Sequence, residues 1–132
     1  MNLYQGIDLV DIRRIRNVYQ RFGKKFIKKI LSKKESKCLL NNLSFDNTVR
    51  RLASIFALKE AASKAVGTGF SQGVLFSDFE IYYNKLNKPF LNFNTKIESK
   101  IKNSSMEKLN TSVSLSNERS YVVAIVTIII SR

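Results

Sequence analysis

Residues Phe56–Gly69, FALKEAASKAVGTG, join a strong helix to an abrupt glycine stop. Ala, Leu, Lys and Glu are good helix formers. Gly67 and Gly69 match the residues that end helices by adopting left-handed backbone conformations. The segment therefore predicts a helix that ends near Val66.

The predicted helix is amphipathic at 100° per residue. Its polar face, around Phe56, holds Lys59, Glu60, Ser63 and Lys64, and its apolar face holds Ile55, Leu58, Ala62, Ala65 and Val66. Periodicity alone favours a solvated surface on which Glu60 and Lys64 form an i,i+4 pair worth ~0.2–0.5 kcal/mol. A single Glu beside a Lys is weak evidence for a metal or phosphate site unless a second carboxylate lies nearby.

The length and the rare residues limit the class of protein. A chain of 132 residues suits one domain spanning 1–132. The single cysteine, Cys38, cannot form an internal disulfide, which favours a reducing, cytoplasmic setting, and the absence of histidine excludes imidazole catalysis. No signal-peptide pattern is present, and the longest apolar run, Tyr121–Ile130, is about half of the ~20 residues that span a bilayer. We therefore predict a soluble protein without a membrane anchor.

The formal charge of +13 predicts an acidic partner, whether nucleic acid, anionic lipid, a phosphorylated ligand or an acidic protein. Part of this charge lies on a helix that begins after Asp11, a plausible N-cap. Arg14, Arg21 and Lys25 fall within one narrow stripe of that helix. The stripe is equally compatible with a docking surface and with a solvated helix face.

The other segments predict an α+β fold with an antiparallel sheet and a long helix. The expected strands are Leu3–Leu9, Phe79–Tyr83, Phe90–Phe93, Ser112–Ser116 and Tyr121–Ile130, and the expected helices are Phe26–Leu31, Glu35–Leu40, a long one from Thr48 or Val49, and Thr95–Lys108. The last strand is apolar on both faces. It therefore belongs at the centre of a sheet or in a subunit interface.

Four stretches in this order resemble one family. They are Gly6–Ile15 (GIDLVDIRRI), Phe56–Gly69, Asn87–Pro89 (NKP) and Val113–Glu118 (VSLSNE). Together they are similar to the holo-acyl-carrier-protein synthases, the small trimeric members of the 4′-phosphopantetheinyl transferase superfamily. The resemblance covers most of the chain, and its most specific part is Phe56–Gly69.

The resemblance implies an enzyme of lipid metabolism that serves fatty acid biosynthesis. Such an enzyme transfers the 4′-phosphopantetheine group from coenzyme A to a serine of apo acyl carrier protein and releases 3′,5′-ADP. It further implies that Asp8 and Glu60 bind Mg²⁺, and that Glu60 and Lys64 are catalytic. The family's pattern places Arg14, followed by Arg21, on the helix that docks the acidic carrier.

The resemblance also implies the remaining site residues and the assembly. Contacts to substrates are expected from Lys59, Ser63, Gly67, Gly69, Lys88, Pro89 and Asn117, with the amides of the glycine loop available to phosphate. The family forms homotrimers with active sites at subunit interfaces. The apolar C-terminal strand is then expected to help build the interface.

Three positions depart from the family pattern. Asn117 replaces a usual His, Ile55 replaces a common Arg, and Asn87 replaces a turn glycine. With no histidine, a metal-bound water or a carboxylate, Glu60 through water, is expected to take the serine proton. Ile55 and Asn117 also leave open an inactive homologue. The charge and Arg13, Arg14 and Arg16 leave open a nucleic-acid-binding protein, although no RNA-binding, zinc or helix-turn-helix signature accompanies them.

Overall fold

The computed structural model describes residues 1–132 as five strands and five α-helices. The strands are β1 (Asn2–Asp11), β2 (Phe79–Tyr83), β3 (Pro89–Phe93), β4 (Lys108–Asn117) and β5 (Tyr121–Ser131). The helices are α1 (Ile12–Phe22), α2 (Lys24–Ile30), α3 (Lys33–Leu39), α4 (Phe45–Val66) and α5 (Thr95–Ile101), and a 3₁₀ turn occupies Phe76–Asp78. This confirms the predicted α+β class.

The main sheet has the antiparallel order β1-β5-β4, which confirms the central place predicted for the last strand. Gly6 pairs with Val126, and Val126 pairs with Val113 on the other side. Alternate residues of β5, from Val122 to Ile130, are buried on one face. A separate two-stranded sheet pairs β2 with β3.

Helix α4 packs its apolar residues against β1 and β5 and supplies nine of the 25 residues of the hydrophobic core. Its N-cap is Ser44, whose hydroxyl accepts a hydrogen bond from the Asn47 amide. The helix therefore begins at Phe45, earlier than the predicted Thr48 or Val49. It ends at Val66 as predicted, because Gly67 adopts the left-handed conformation with φ +95°.

Helices α2 and α3 and the β2–β3 hairpin cover another side of α4. At the start of α3, Ser32 and Glu35 form a capping box in which each side chain accepts from the other's backbone amide. The predicted Thr95–Lys108 helix is too long, because α5 ends at Ile101 and β4 already begins at Lys108. No helix has the length and apolar character needed to cross a bilayer.

Candidate active site

The site begins where β1 lies directly against the last turns of α4. A Cβ atom added to Gly6 would lie 1.9 Å from the backbone oxygen of Ala61, so only glycine permits this approach. Asp8, two residues later in β1, points to the same side of the sheet as Gly6. The close packing therefore carries the Asp8 carboxylate to the polar edge of α4.

Lys64 joins the helix to the strand. Its ammonium donates to Asp8 Oδ1 at 3.0 Å and to the backbone oxygen of Ile7 at 3.1 Å. The ion pair predicted from periodicity, between Glu60 and Lys64, is not formed, and Lys64 instead neutralises the carboxylate on β1. A long-range contact that the helical period cannot reveal thus sets the local charge arrangement.

Glu60 lies in the same electrostatic environment. Burial raises the pKa of its carboxyl and the negative charge of Asp8 raises it further, whereas the charges of Lys64 and Arg14 oppose both effects. A partly buried carboxylate whose charge is destabilised by a second carboxylate favours a cation between the two. Their hard oxygen atoms suit Mg²⁺, which needs only one or two carboxylates when substrate phosphates and water complete its shell.

An apolar cleft of about 820 Å³ adjoins Glu60. Nine of its 14 lining residues are hydrophobic, and three lysines, Lys25, Lys28 and Lys29, also line it. The guanidinium carbon of Arg14 lies 5.7 Å from the centre of the ring of Phe56, one of the lining residues. The cleft therefore combines an apolar floor with positive charge beside the carboxylate of Glu60.

The cationic stripe predicted on one helix divides between two, because α1 ends at Phe22 and Lys25 lies on α2. Arg13 pairs with Asp11 and Arg16 with Asp46, whereas Arg14 and Arg21 have no carboxylate partner. The guanidinium carbon of Arg21 lies 5.2 Å from the centre of the Phe22 ring, beside the apolar cleft. Two of the three arginines that motivated a nucleic-acid-binding protein are thus engaged within the chain.

A second cavity, of about 570 Å³, brings together Lys88, Pro89 and Asn117. It lies between the first half of α4, the β2–β3 hairpin and β4. Arg50 and Arg51 also line it, and the sequence interpretation missed both. The sequence offered one signal for them, because they are two adjacent cations on the N-terminal half of a helix whose buried residues are mostly apolar.

Lys59 and Ser63 line neither cavity, so the structure gives no support to their assignment as substrate contacts, which stays a prediction. Both residues are fully buried. The Lys59 ammonium donates to Glu35 Oε1 at 2.8 Å and to the backbone oxygen of Ile30 at 2.7 Å, and the Ser63 hydroxyl donates to the backbone oxygen of Glu60. Burial lowers the pKa of the Lys59 ammonium, and the negative charge of Glu35 opposes that effect. Both side chains stabilise the fold.

The glycine loop closes the helix. The Gly67 amide donates to the backbone oxygens of Ser63 and Lys64, and the Gly69 amide donates to that of Ser63. These two amides therefore cannot donate to phosphate as predicted. Space for a side chain is open at both glycines, so close approach of a ligand to this backbone stays a prediction.

The departures from the family pattern have different surroundings. Ile55 is fully buried in the apolar core, where it contributes packing to α4. Asn117 is exposed at the end of β4 and lines the second cavity, and Asn87, with φ +61°, lines it from the hairpin. The two asparagines are therefore positioned for polar contacts, whereas Ile55 is not.

Comparison with known proteins agrees with this geometry. The sequence model of one protein family, the 4′-phosphopantetheinyl transferase superfamily, matches residues 5–126. A holo-[acyl-carrier-protein] synthase from Wigglesworthia glossinidia brevipalpis is 42% identical over 123 residues, which cover 92% of this chain and 87% of that protein. The crystal structure of the Neisseria meningitidis synthase superposes with a TM-score of 0.78 at 32% identity over 95% of this chain and 96% of that one. The Bacillus anthracis synthase in complex with CoA (3′,5′-ADP) superposes with a TM-score of 0.75 at 30% identity over 95% and 94% of the two chains.

Proposed function

This chain belongs to the 4′-phosphopantetheinyl transferase superfamily, and we infer that it acts as a holo-[acyl-carrier-protein] synthase. It transfers the 4′-phosphopantetheine group of coenzyme A to a serine hydroxyl of an apo acyl carrier protein. The observation that carries the inference is the cluster of Asp8, Glu60 and Lys64 beside an apolar, lysine-lined cleft. The cluster suits a phosphate, and the cleft suits an acidic protein.

Asp8 and Glu60 are the residues that would hold Mg²⁺. Their oxygen donors and the raised pKa of Glu60, caused by burial and by the charge of Asp8, support a divalent cation at this position. When bound, the ion would neutralise the pyrophosphate and polarise its P–O bonds. The absence of a third acidic or histidine ligand leaves coordination positions to the substrate and water.

Lys64 and Glu60 have different roles in the transfer step. The serine oxygen forms a bond to the β-phosphorus of coenzyme A, and the bond from that phosphorus to the bridging oxygen breaks to release 3′,5′-ADP. Lys64, which is half exposed, turns its ammonium toward the phosphate oxygens where charge develops. Glu60, whose pKa is raised by burial and by Asp8, accepts the serine proton at its carboxylate through a water molecule.

The acidic carrier docks across α1 and the apolar cleft. Arg14 and Arg21 supply unpaired cations on α1, and Lys25, Lys28 and Lys29 continue the positive surface on α2. The apolar floor is adjacent to Glu60, so a carrier seated there presents its serine to the reacting group. Complementary charge of this kind mainly accelerates association.

A homotrimer accounts for two features that one chain leaves unexplained. The sheet face opposite α4 exposes Leu3, Ile7 and Leu9 of β1 next to Ile125 of β5, and Leu9 is 67% exposed. The two halves of the site also lie on different sides of α4: Arg51 and Glu60, nine residues apart, point about 180° away from each other. One coenzyme then binds between the second cavity of one subunit and the carboxylates of another.

The single free and exposed cysteine, Cys38, supports a reducing cytoplasm as the setting of the reaction. The decisive experiment incubates the protein with coenzyme A, Mg²⁺ and an apo acyl carrier protein. Mass spectrometry of the carrier is expected to show one phosphopantetheine on its serine, dependent on Mg²⁺ and absent with a carrier whose serine is replaced by alanine. An unmodified carrier under all metal and salt conditions would contradict the function.

A further inference from the structure

Helix α2 forms one wall of the apolar cleft but makes few contacts of its own that would hold it in place. Five of its residues line the cleft, namely Lys25, Phe26, Lys28, Lys29 and Ile30. The helix has 7 residues, its N-cap Gly23 makes no side-chain hydrogen bond, and Ile30 is its one buried residue. Helices shorter than about 12–15 residues are marginal by themselves. The position of this wall therefore depends on a contact from another element.

That contact comes from Lys59 on α4. Its ammonium donates to the backbone oxygen of Ile30, the last residue of α2, at 2.7 Å. The last carbonyls of a helix have no partner within the helix, and a cation beside them also stabilises the negative end of the helix dipole. Lys59 thus binds the C-terminal end of α2 from a neighbouring helix.

Glu35 fixes the direction in which the Lys59 ammonium points. Its Oε1 accepts from Lys59 at 2.8 Å and from the Ser32 amide at 3.0 Å, and its Oε2 accepts from the Ile81 amide at 2.9 Å. The side chains of Lys59 and Glu35 are both buried. Charged hydrogen bonds that water does not reach are short and strong. The ammonium therefore holds the end of α2 at one position relative to α4.

The residue that binds α2 and the reacting carboxylate are neighbours on α4. Glu60 directly follows Lys59 and lines the same cleft as α2. Consecutive residues of an α-helix point about 100° apart, so Lys59 reaches the end of α2 inside the protein while Glu60 faces the cleft. A shift of α2 along or away from α4 would therefore change the distance between the α2 wall and Glu60.

We propose that Lys59 is a positioning residue for the transfer: through the Ile30 oxygen and Glu35 it fixes the α2 wall of the cleft relative to Glu60. The inference rests on the proposed function, in which the acidic carrier docks on this wall and presents its serine to Glu60. The role requires no contact between Lys59 and either substrate. Its effect falls on the carrier and not on coenzyme A, because no residue of α2 lines the second cavity.

Steady-state kinetics of Lys59→Met/Glu35→Gln test this role, since the double variant removes the contact without leaving a buried charge. The kcat/KM for the carrier should fall by about 10- to 100-fold, chiefly through KM, because a misplacement of ~1 Å can cost ~100-fold. KM for coenzyme A should not change. Ile97→Val, which shortens a fully buried side chain of α5, is the control for lost stability and should keep both KM values. A loss of kcat alone, or an equal rise in both KM values, would overturn the inference.

Hydrogen exchange followed by mass spectrometry separates this inference from the proposed function, because it needs no transferase activity. In wild type the amides of α2 should be protected despite the shortness of the helix. In the double variant they should exchange at least about 10-fold faster, the effect of one lost charged hydrogen bond, while those of α4 keep their protection. This result would support the positioning of α2 by Lys59 even if no carrier were modified. Unprotected α2 amides in wild type, which can be measured even if the variant does not fold, or an equal loss of protection throughout the variant, would contradict it.

Discussion

Two lysine–carboxylate pairs on α4, five residues apart within one motif, serve different ends. Lys59 and Glu35 lie 2.8 Å apart with side chains 0% and 2% exposed. Lys64 and Asp8 lie 3.0 Å apart with side chains 52% and 14% exposed. Residue types and distances are nearly the same, so burial decides what each pair does. The buried pair is committed to the fold, and the exposed pair remains available to a phosphate.

The buried pair is stable because its hydrogen bonds are complete. Glu35 accepts from the amides of Ser32 and Ile81 in addition to Lys59, and Lys59 also donates to the backbone oxygen of Ile30. No buried polar side-chain atom in the structure lacks a partner. The network links α2, α3, α4 and β2, so it holds the cover over the helix that carries Glu60.

Breaking the buried pair should give the largest effect on stability. Lys59→Met leaves the Glu35 charge buried without its cation, which is expected to lower the free energy of unfolding by about 3–5 kcal/mol. Urea denaturation followed by circular dichroism measures this. The double variant Lys59→Met/Glu35→Gln removes the stranded charge and keeps an acceptor for the Ile81 amide, so it should be more stable than the single variant. A double variant as unstable as the single would contradict the account.

Removing a carboxylate from the exposed site should affect rate and leave the fold intact. Glu60→Gln and Asp8→Asn are each expected to lower kcat by about 10²–10³-fold, the scale of lost transition-state electrostatics. For Glu60→Gln the free energy of unfolding should stay the same or rise slightly, because the change relieves repulsion from Asp8. Asp8→Asn relieves the same repulsion but weakens the ion pair with Lys64, so its free energy of unfolding should change by less than about 1 kcal/mol. Glu98→Gln on α5, which breaks only a surface pair with Lys102, is the control. Normal turnover in both carboxylate variants would refute the metal assignment.

Lys64→Met tests the exposed lysine directly against the buried one. Its pair with Asp8 is partly solvated, so the stability loss should be below about 1 kcal/mol. The rate of transfer should nevertheless fall by about 10- to 100-fold, since the ammonium no longer faces the leaving phosphate. The comparison would fail if Lys64→Met were as destabilising as Lys59→Met, or if it left kcat unchanged.

Local sequence signals predicted those features that depend on neighbouring residues. The end of α4 follows from Gly67, and the central place of β5 follows from its long apolar run, which is rich in β-branched residues. The face assigned to Lys59 was wrong because the helical period does not show which elements cover a helix. Here α2, α3 and β2 cover the side that carries Lys59, and Glu35 supplies the buried counter-charge from 24 residues away.

The candidate site was only partly predictable for the same reason. Its carboxylates were expected through resemblance to a family, whereas the Asp8–Lys64 contact depends on Gly6 allowing β1 to approach α4. Arg50 and Arg51 precede the motif, and the sequence did not show that they line a cavity, because the other walls of that cavity come from the hairpin and β4. The function of a charged residue on a helix depends on which groups face it, and the tertiary fold decides which groups those are.

A smaller effect is expected at the carrier surface. Arg14→Glu should raise KM for the carrier by about 10-fold and leave kcat and KM for coenzyme A nearly unchanged, because Arg14 lies at the edge of the cleft over Phe56. The difference from wild type should shrink as salt is added. Lys100→Glu makes the same charge change on α5 and should leave KM for the carrier unchanged. A loss of equal size in both variants would assign the effect to net charge alone.

A third pair, Lys96 with Asp78, lies between the two extremes and should give the smallest effect. The side chains are 43% and 6% exposed and lie 2.7 Å apart. Burial alone would raise the pKa of the Asp78 carboxyl, but hydrogen bonds from Lys96, the Leu75 amide and Asn94 outweigh it and hold that pKa below its usual value. Because the folded-state pKa is lowered, the stabilisation is present above the unfolded-state pKa and is lost as pH falls through the folded-state pKa. Urea denaturation should show Asp78→Asn to be less stable than wild type by about 1 kcal/mol near pH 6, with the difference disappearing toward about pH 2. If the difference in free energy of unfolding persisted in acid, Asp78 would stabilise the fold through its shape and neutral hydrogen bonds. The charge of a carboxylate would then contribute to stability only where the side chain is fully buried, as at Glu35.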